Sequence, residues 1–218
     1  MWLYGSVARG TYTAMSDLDL LVVPNLGPEE RPEVAALIRG LPQVSRTSIT
    51  VYSWQQLATM AAYGSLFLVH LGAEARILYG EGVGDGLADV VAGMPQYSRA
   101  GHDLWGFMQA LTDVEESLLG GGDPNYELGV VATVVRHCSI LTTYLGGSPV
   151  FDRERSIANA FALVGQEESV PMALELHKFR MARLKRTNVG NASPESALKR
   201  TRTAMDFVGE VETRYGAA

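Results

Sequence analysis

The stretch that decides the fold is Trp2-Leu3-Tyr4-Gly5-Ser6-Val7-Ala8-Arg9-Gly10, followed after five intervening residues by Ser16-Asp17-Leu18-Asp19-Leu20. A short apolar run ends at Gly5, and a second run, Leu18 to Val23, ends at Pro24. Apolar runs of this length, bounded by glycine or proline, are typical of strands. The stretch therefore predicts two strands joined through a glycine turn and a helix start.

The two halves of this stretch carry different chemistry. Gly5-Ser6 comes directly after a strand and before a helix start, where backbone N–H groups and a hydroxyl can face an anion such as phosphate. Asp17 and Asp19 are two residues apart at the start of a strand, so both carboxylates are expected on one face of the sheet. Like charges this close repel unless a cation binds between them, and magnesium prefers oxygen ligands. The pattern predicts a site for a metal and a nucleotide.

The remainder of the first 95 residues is predicted to alternate between strands and helices. Helices are predicted at Pro32 to Leu41 and at Trp54 to Leu71, and Ser53 with Gln56 forms a capping box before the second. Further strands are predicted at Ser48 to Tyr52 and at Arg76 to Tyr79. Five glycines between Gly80 and Pro95 predict a connector.

Beyond residue 98 the apolar residues follow a helical period. Six of them recur at spacings of three and four and so share one helix face: Leu104, Phe107, Met108, Leu111, Val114 and Leu118. Later helices are predicted at Pro124 to Leu145, Arg153 to Val164, Val170 to Arg186 and Pro194 to Tyr215. The sequence thus predicts an α+β protein with a small mixed-sheet domain at 1–95 and an α-helical bundle domain at 96–218.

Composition narrows the cellular setting. The chain has 218 residues, a formal charge of -6 and a single cysteine, which excludes an internal disulfide or a zinc ribbon and suits a reducing compartment. No signal peptide is evident, and no apolar stretch is expected to approach the roughly 20 residues of a membrane helix. We expect a cytoplasmic protein without a membrane partner.

The motif resembles the signature of the nucleotidyltransferase superfamily related to DNA polymerase β. Gly5-Ser6, ten intervening residues and Asp17-x-Asp19 match it, and Ala8-Arg9-Gly10 with Ser16 is similar to its small bacterial members, the minimal and kanamycin-type nucleotidyltransferases. The resemblance implies attack of an acceptor hydroxyl on the α-phosphate of a nucleoside triphosphate (NTP), with release of pyrophosphate. It implies that Gly5, Ser6, Arg9 and Ser16 bind the nucleotide, and that Asp17 and Asp19 are catalytic and ligate two Mg²⁺ ions.

The sequence departs from the family pattern in two places. Active members add a third carboxylate from a neighbouring strand, but no Asp or Glu occurs between Glu33 and Glu74, and the matching strand offers Ser48 and Thr50. Three residues elsewhere are candidates for this role, although each is more readily explained as an ordinary surface or helix residue: Glu74, Glu127 and His137. The family also places a helix before the first strand, so we expect a homodimer contact or a partner protein on an exposed sheet face.

Two functional classes remain open on the sequence alone. The first is a magnesium-dependent nucleotidyltransferase whose acceptor is a small molecule, a protein or an RNA. The alternative is a catalytically weak or inactive nucleotide-binding module that acts through a protein partner, as in toxin–antitoxin pairs. The stretch from Lys178 to Arg202 holds eight basic residues and one acidic residue. It is either a patch for RNA or another acidic ligand, or a solvated helix face.

Overall fold

The computed structural model describes residues 1–12, 16–24, 47–79, 84–185 and 190–216. They separate into two compact units, Met1–Ser98 and Arg99–Ala218. The first unit contains a small mixed sheet with helices, and the described part of the second is helical. The predicted α+β class is therefore confirmed. The predicted helix at Pro32 to Leu41 and the first glycines of the predicted connector lie outside the described residues.

The sheet has four described strands in the order β3-β2-β1-β4. Strand β1 lies antiparallel to both β2 and β4, whereas β2 and β3 run parallel. Each predicted strand is present within two residues of its expected bounds. The strands are β1 (Trp2–Tyr4), β2 (Leu18–Val22), β3 (Thr47–Val51) and β4 (Arg76–Ile77).

One face of this sheet carries the core of the first unit. Trp2, Tyr4 and Leu21 are buried there against leucines from the helices that follow β3. The two residues of β1 are two apart and so point to the same face. The described residues of this unit form four helices: α1 (Gly5–Arg9), α2 (Trp54–Ala61), α3 (Leu66–Glu74) and α4 (Gly84–Ala92). The capping box predicted from Ser53 and Gln56 is present at the start of α2.

The single helix predicted from Trp54 to Leu71 is wrong, because the chain turns between α2 and α3. Gly64 has a φ of 73°, in the left-handed region that only glycine adopts without strain. A side chain there would also overlap the backbone of Pro95 and Gln96. The apolar spacing continues through the break, so periodicity alone could not locate it.

The glycine-rich connector is wrong in its second half, since Gly84–Ala92 forms α4. Leu87 is only 4% exposed and belongs to the core, with Val90 and Val91 packed beside it. These three residues have helical spacing, and Gly86 lets the helix approach the Trp54 ring closely. The glycine here serves close packing, which outweighs its low helix propensity.

The second unit is a helical bundle whose predicted starts are largely confirmed. The side chains of Asp123, Asp152 and Ser193 each accept a hydrogen bond from a backbone N–H of the first turn that follows. The long helices are α5 (Ala100–Leu119), α6 (Pro124–Leu145), α7 (Arg153–Leu163) and, last in the chain, α10 (Pro194–Tyr215).

Between α7 and α10, the helix predicted from Val170 to Arg186 is divided. A 3₁₀ turn, Glu167–Ser169, leads into α8 (Val170–Glu175), and α9 (His177–Lys185) follows. At the junction the Phe179 N–H donates to the Leu176 carbonyl at 3.0 Å, three residues back instead of four. This tighter bond breaks the α-helical pattern. The fully buried Leu176 holds the junction in the core.

Helix α6 is central, because α5, α7, α9 and α10 all pack against it. It has 22 residues, and its most apolar 18-residue window has a mean hydropathy of 1.4, so it is long and apolar enough to cross a membrane by length and composition. The expectation that no segment reaches that length is therefore wrong. However, 61% of its apolar window is buried inside the protein, which is typical of a core helix.

The burial of α6 predicts an unreactive thiol. Cys138 is fully buried, and this burial raises the pKa of its thiol to about 12. At pH 8 only about one thiol in ten thousand would then be the reactive thiolate. We expect an aromatic disulfide reagent to leave native protein unlabelled over an hour and to label one thiol at once in 6 M guanidinium, measured by absorbance.

The matched control is Tyr126→Cys, which places a thiol at an exposed position on the same helix. This variant should react at one site in its native state. Labelling of the native wild type as fast as Tyr126→Cys would show that Cys138 is accessible and that α6 is not the buried centre of the bundle.

Candidate functional site

The two halves of the sequence motif meet in space at Gly5 and Asp19. Strands β1 and β2 pair so that Tyr4 lies opposite Asp19, which brings the turn after β1 next to this aspartate. A side chain added at Gly5 would overlap the Asp19 carboxylate. Because glycine has no Cβ, the carboxylate can lie directly against the turn.

The geometry of α1 follows from this turn. Tyr4 is still extended, whereas Gly5 has a φ of 75° and starts a helix of five residues. Gly10 ends the helix in the left-handed conformation, and the Thr11 N–H donates to the Ser6 carbonyl at 3.0 Å. The predicted helix start after the motif is thus present, with Ser6 half-buried in its first turn.

The two aspartates differ in exposure. Asp17 is exposed and precedes β2, whereas Asp19 is half-buried within that strand. Ser16 is half-buried. The sequence predicts both carboxylates on one face of the sheet, and the structure adds that Asp17 is exposed whereas the Asp19 carboxylate lies against the Gly5 turn.

Tyr4 adds a neutral hydroxyl beside Asp19. Its Oη atom lies 3.2 Å from Oγ1 of Thr50 on β3, within hydrogen-bond distance. Burial is the largest cause and raises the pKa of the Tyr4 phenol, the Thr50 hydrogen bond partly offsets this rise, and the negative charge of Asp19 adds a smaller increase. The phenol therefore stays protonated at neutral pH.

Strand β3 has a hydroxyl in register with Asp19. Ser48 is the partner of Asp19 in the parallel β2–β3 pair and is exposed. Within the described ranges, no group of three or more His, Cys, Asp or Glu side chains could hold a metal ion. In the part of the chain that the structure describes, Asp17 and Asp19 therefore belong to no cluster of three acidic or histidine side chains. Ser48 lies in register with Asp19 on the neighbouring strand.

The three suggested replacements for the third carboxylate have other surroundings. Glu127 accepts a 2.7 Å hydrogen bond from the Ser117 hydroxyl in the second unit, and His137 is an exposed residue of α6 in that same unit. Glu74, on α3, forms an ion pair with Arg9 and lies within hydrogen-bond distance of His70. Each surrounding fits the ordinary structural role considered for these residues.

Glu74 lies in a cluster that the sequence did not reveal. Its Oε2 atom is 2.6 Å from Nη1 of Arg9 and 2.8 Å from Nε2 of His70. The His70 ring stands edge-on to the Tyr4 ring, with centroids 5.7 Å apart. This cluster joins the motif residue Arg9 to helix α3, although Arg9 and Glu74 are 65 residues apart in sequence.

Three of the eight basic residues in the stretch from Lys178 to Arg202 form ion pairs with glutamates. Glu175 forms ion pairs with both Lys178 and Arg200, and Arg202 pairs with Glu115 at 2.7 Å. Lys178 and Arg200 lower the pKa of the Glu175 carboxyl below its usual value, and the Lys178 hydrogen bond is the largest cause. This pairing favours the interpretation of the described part of the segment as a solvated helix face.

Comparison with known families supports the motif assignment. The family model described as "Nucleotidyltransferase domain" matches residues 1–65, which span β1, α1, β2, β3 and α2. The first 65 residues thus match a nucleotidyltransferase domain, which supports nucleotidyl transfer as a general function. No curated protein matches the chain at a significant level.

The Gly5 turn can be tested by a matched pair of glycine substitutions. Gly5 and Gly10 have nearly the same φ, 75° and 76°, but a Cβ at Gly10 would meet nothing within 4 Å. Gly10→Ala should cost about 1 kcal/mol of unfolding free energy from backbone strain. Gly5→Ala should cost roughly 1–3 kcal/mol more, because its methyl group overlaps Asp19. Urea unfolding followed by tryptophan fluorescence measures both.

A double substitution identifies the overlapping group. Asp19→Ala removes the carboxylate, so the added cost of Gly5→Ala should largely vanish in the Asp19→Ala background. Equal costs for Gly5→Ala and Gly10→Ala in the wild type, or an unchanged cost without the carboxylate, would contradict the close contact.

Proposed function

We propose that this protein is a magnesium-dependent nucleotidyltransferase that moves a nucleoside monophosphate from an NTP to a hydroxyl acceptor. Asp17 and Asp19 are the proposed catalytic and metal-binding residues. Gly5, Ser6 and Ser16 are proposed to bind the nucleotide, and Arg9 is proposed to contribute to that binding through α1.

The observation that carries this proposal is the contact of Gly5 with the Asp19 carboxylate. A phosphate chain beside Ser6 would lie next to the aspartates, so Asp17 and Asp19 would hold magnesium close to the phosphates. A surface turn with an unrelated pair of aspartates would not require glycine at this point. Packing of the two halves against each other supports a single joint site.

The donor set fits magnesium shared with the nucleotide. Magnesium in phosphate-transfer sites is typically held by one or two carboxylates together with phosphate oxygens and water. Asp17 and Asp19 can supply those carboxylates without a larger cluster of acids. When bound, magnesium would offset the charge on the phosphates and on the leaving pyrophosphate.

The surrounding side chains have supporting roles in this proposal. The Asp19 carboxylate is fixed by the Gly5 turn and by its position in β2, which reduces the entropy lost on binding. The protonated Tyr4 phenol lies beside it as a neutral group. Tyr4 therefore adds no negative charge to compete with the phosphates.

For the acceptor, we propose a small molecule or a protein hydroxyl in preference to RNA. Binding to RNA depends on unpaired basic side chains that neutralise phosphates. Lys178, Arg200 and Arg202 are instead engaged with glutamates. The formal charge of -6 on the chain also disfavours a polyanionic acceptor.

One observation favours the second candidate, a nucleotide-binding module with little or no turnover that acts through a protein partner. Ser48 occupies the register position beside Asp19 on the strand from which the third carboxylate is expected. A neutral hydroxyl is a poor general base and a weak metal ligand. Nucleotide affinity could then persist while the transfer step is slow.

Transfer is tested by incubating the protein with each labelled NTP, magnesium and fractionated lysate, and by counting label in products. Asp19→Asn keeps the size of the side chain but removes its charge. Because loss even of an indirect metal partner costs about 10–100-fold, loss of a direct ligand should lower transfer at least a hundredfold. Transfer that is unchanged in Asp19→Asn would refute the proposed mechanism.

Ser48→Asp separates the two candidates, with Ser48→Asn as the uncharged control of equal size. If the missing carboxylate limits the rate, Ser48→Asp should raise transfer at least tenfold, while Ser48→Asn leaves it near the wild-type value. Fast wild-type transfer that falls in Ser48→Asp would instead show that another group already fills this role. If the wild type and Ser48→Asp both bind the triphosphate without turnover, the binding module is favoured.

A further inference from the structure

We infer that Glu74, supported by His70, is a positioning residue that holds α1 and its Gly5–Ser6 turn in place through Arg9. The inference rests on the proposed function for its effect on nucleotide binding. Its structural part concerns only the first unit and can be tested without a nucleotide.

The first step is the location of the ion pair. Arg9 is the last residue of α1, and its Nη1 atom lies 2.6 Å from Oε2 of Glu74 near the end of α3. The Glu74 side chain is only 9% exposed, and that of Arg9 is 21% exposed. A charge-assisted hydrogen bond shielded from water is stronger than one at the surface.

The second step is that α1 needs such an anchor. A five-residue helix is too short to be stable by its own hydrogen bonds. Its first residue, Gly5, lies against Asp19, and its Ala8 side chain is buried. The Arg9–Glu74 pair fixes the opposite end, so the turn carrying Ser6 is held at both sides.

The third step is that Glu74 is itself held. His70 lies one helical turn earlier on α3, and its Nε2 atom is 2.8 Å from the same Glu74 oxygen. The other side of the His70 ring packs edge-on against Tyr4, whose hydroxyl meets Thr50 on β3. Glu74 is thereby tied to the sheet that carries Asp19, and a shift of α3 would move the turn relative to the carboxylate.

These contacts give Arg9 a role that differs from direct contact with the triphosphate. The guanidinium engages the carboxylate of α3, and the bond orients α1, on which Ser6 lies. Glu74 is accordingly assigned to positioning and not to the place of the third metal ligand. Its loss should weaken binding of the triphosphate in the ground state and the transition state alike, which raises KM with little change in kcat.

The test compares Glu74→Gln with the wild type by NMR hydrogen exchange without nucleotide. The amides of Gly10 and Thr11, which close α1 on Val7 and Ser6, are the reporters, and the Leu57 amide of α2 is the internal reference. Exchange at Gly10 and Thr11 should be about tenfold faster in the variant, with Leu57 changed less than twofold. In transfer assays, KM for the triphosphate should rise about tenfold and kcat change less than threefold.

Glu175→Gln is the matched control, because Glu175 also contacts two basic side chains but lies in the second unit. It should alter neither the reporters nor KM. Arg9→Lys, which retains the charge but not the planar guanidinium, is a second variant should Glu74→Gln fail to fold, and it should speed exchange at the same two amides about threefold.

Two results would overturn the inference. One is exchange at Gly10 and Thr11 within twofold of the wild type in both variants. The other is equal acceleration at Leu57, which would show a general loss of stability instead of a local release of α1. If the wild type neither binds nor turns over any triphosphate, the proposed function fails, and the exchange data still decide whether Glu74 positions α1.

Discussion

The contact between Gly5 and the Asp19 carboxylate is the constraint on which the rest of the first unit depends. It requires β1 and β2 to pair with Tyr4 opposite Asp19, and it requires a residue without a Cβ at the turn. The same turn sets the direction of α1. Sheet register, helix direction and the placement of the acidic group are therefore aspects of one arrangement, and a change at Gly5 would disturb all three.

This arrangement is supported from a distant part of the sequence. Helix α3 provides Glu74 to α1, and it can do so only because Gly64 lets the chain turn after α2 and bring Leu68 and Leu71 into the core. The core leucines thus do more than stabilise the sheet. They fix the helix whose polar end meets the motif, so hydrophobic packing sets the geometry of a charged site.

The limits of sequence-based prediction follow from the same physics. Caps and apolar periodicity are local signals, and they located β1, α6 and α10 with the correct bounds. The break at Gly64 and the helix at Gly84–Ala92 depend on contacts with Pro95 and Trp54, which no local pattern contains. In the site, the motif revealed Gly5 and Asp19, whereas the pairing of Arg9 with Glu74 spans 65 residues and exists only through packing.

The absence of a carboxylate at Ser48 bears differently on nucleotide binding and on transfer. Magnesium takes many of its ligands from phosphate and water, so in the proposed site Asp17 and Asp19 would be enough to support its binding with a nucleotide. Activation of the acceptor hydroxyl needs a base or a second polarising charge, which a serine hydroxyl provides poorly. A substitution of this kind therefore lowers the rate more than the affinity. The enzyme and the binding module are consequently two ends of a range of rates at one site, and binding measurements alone do not separate them.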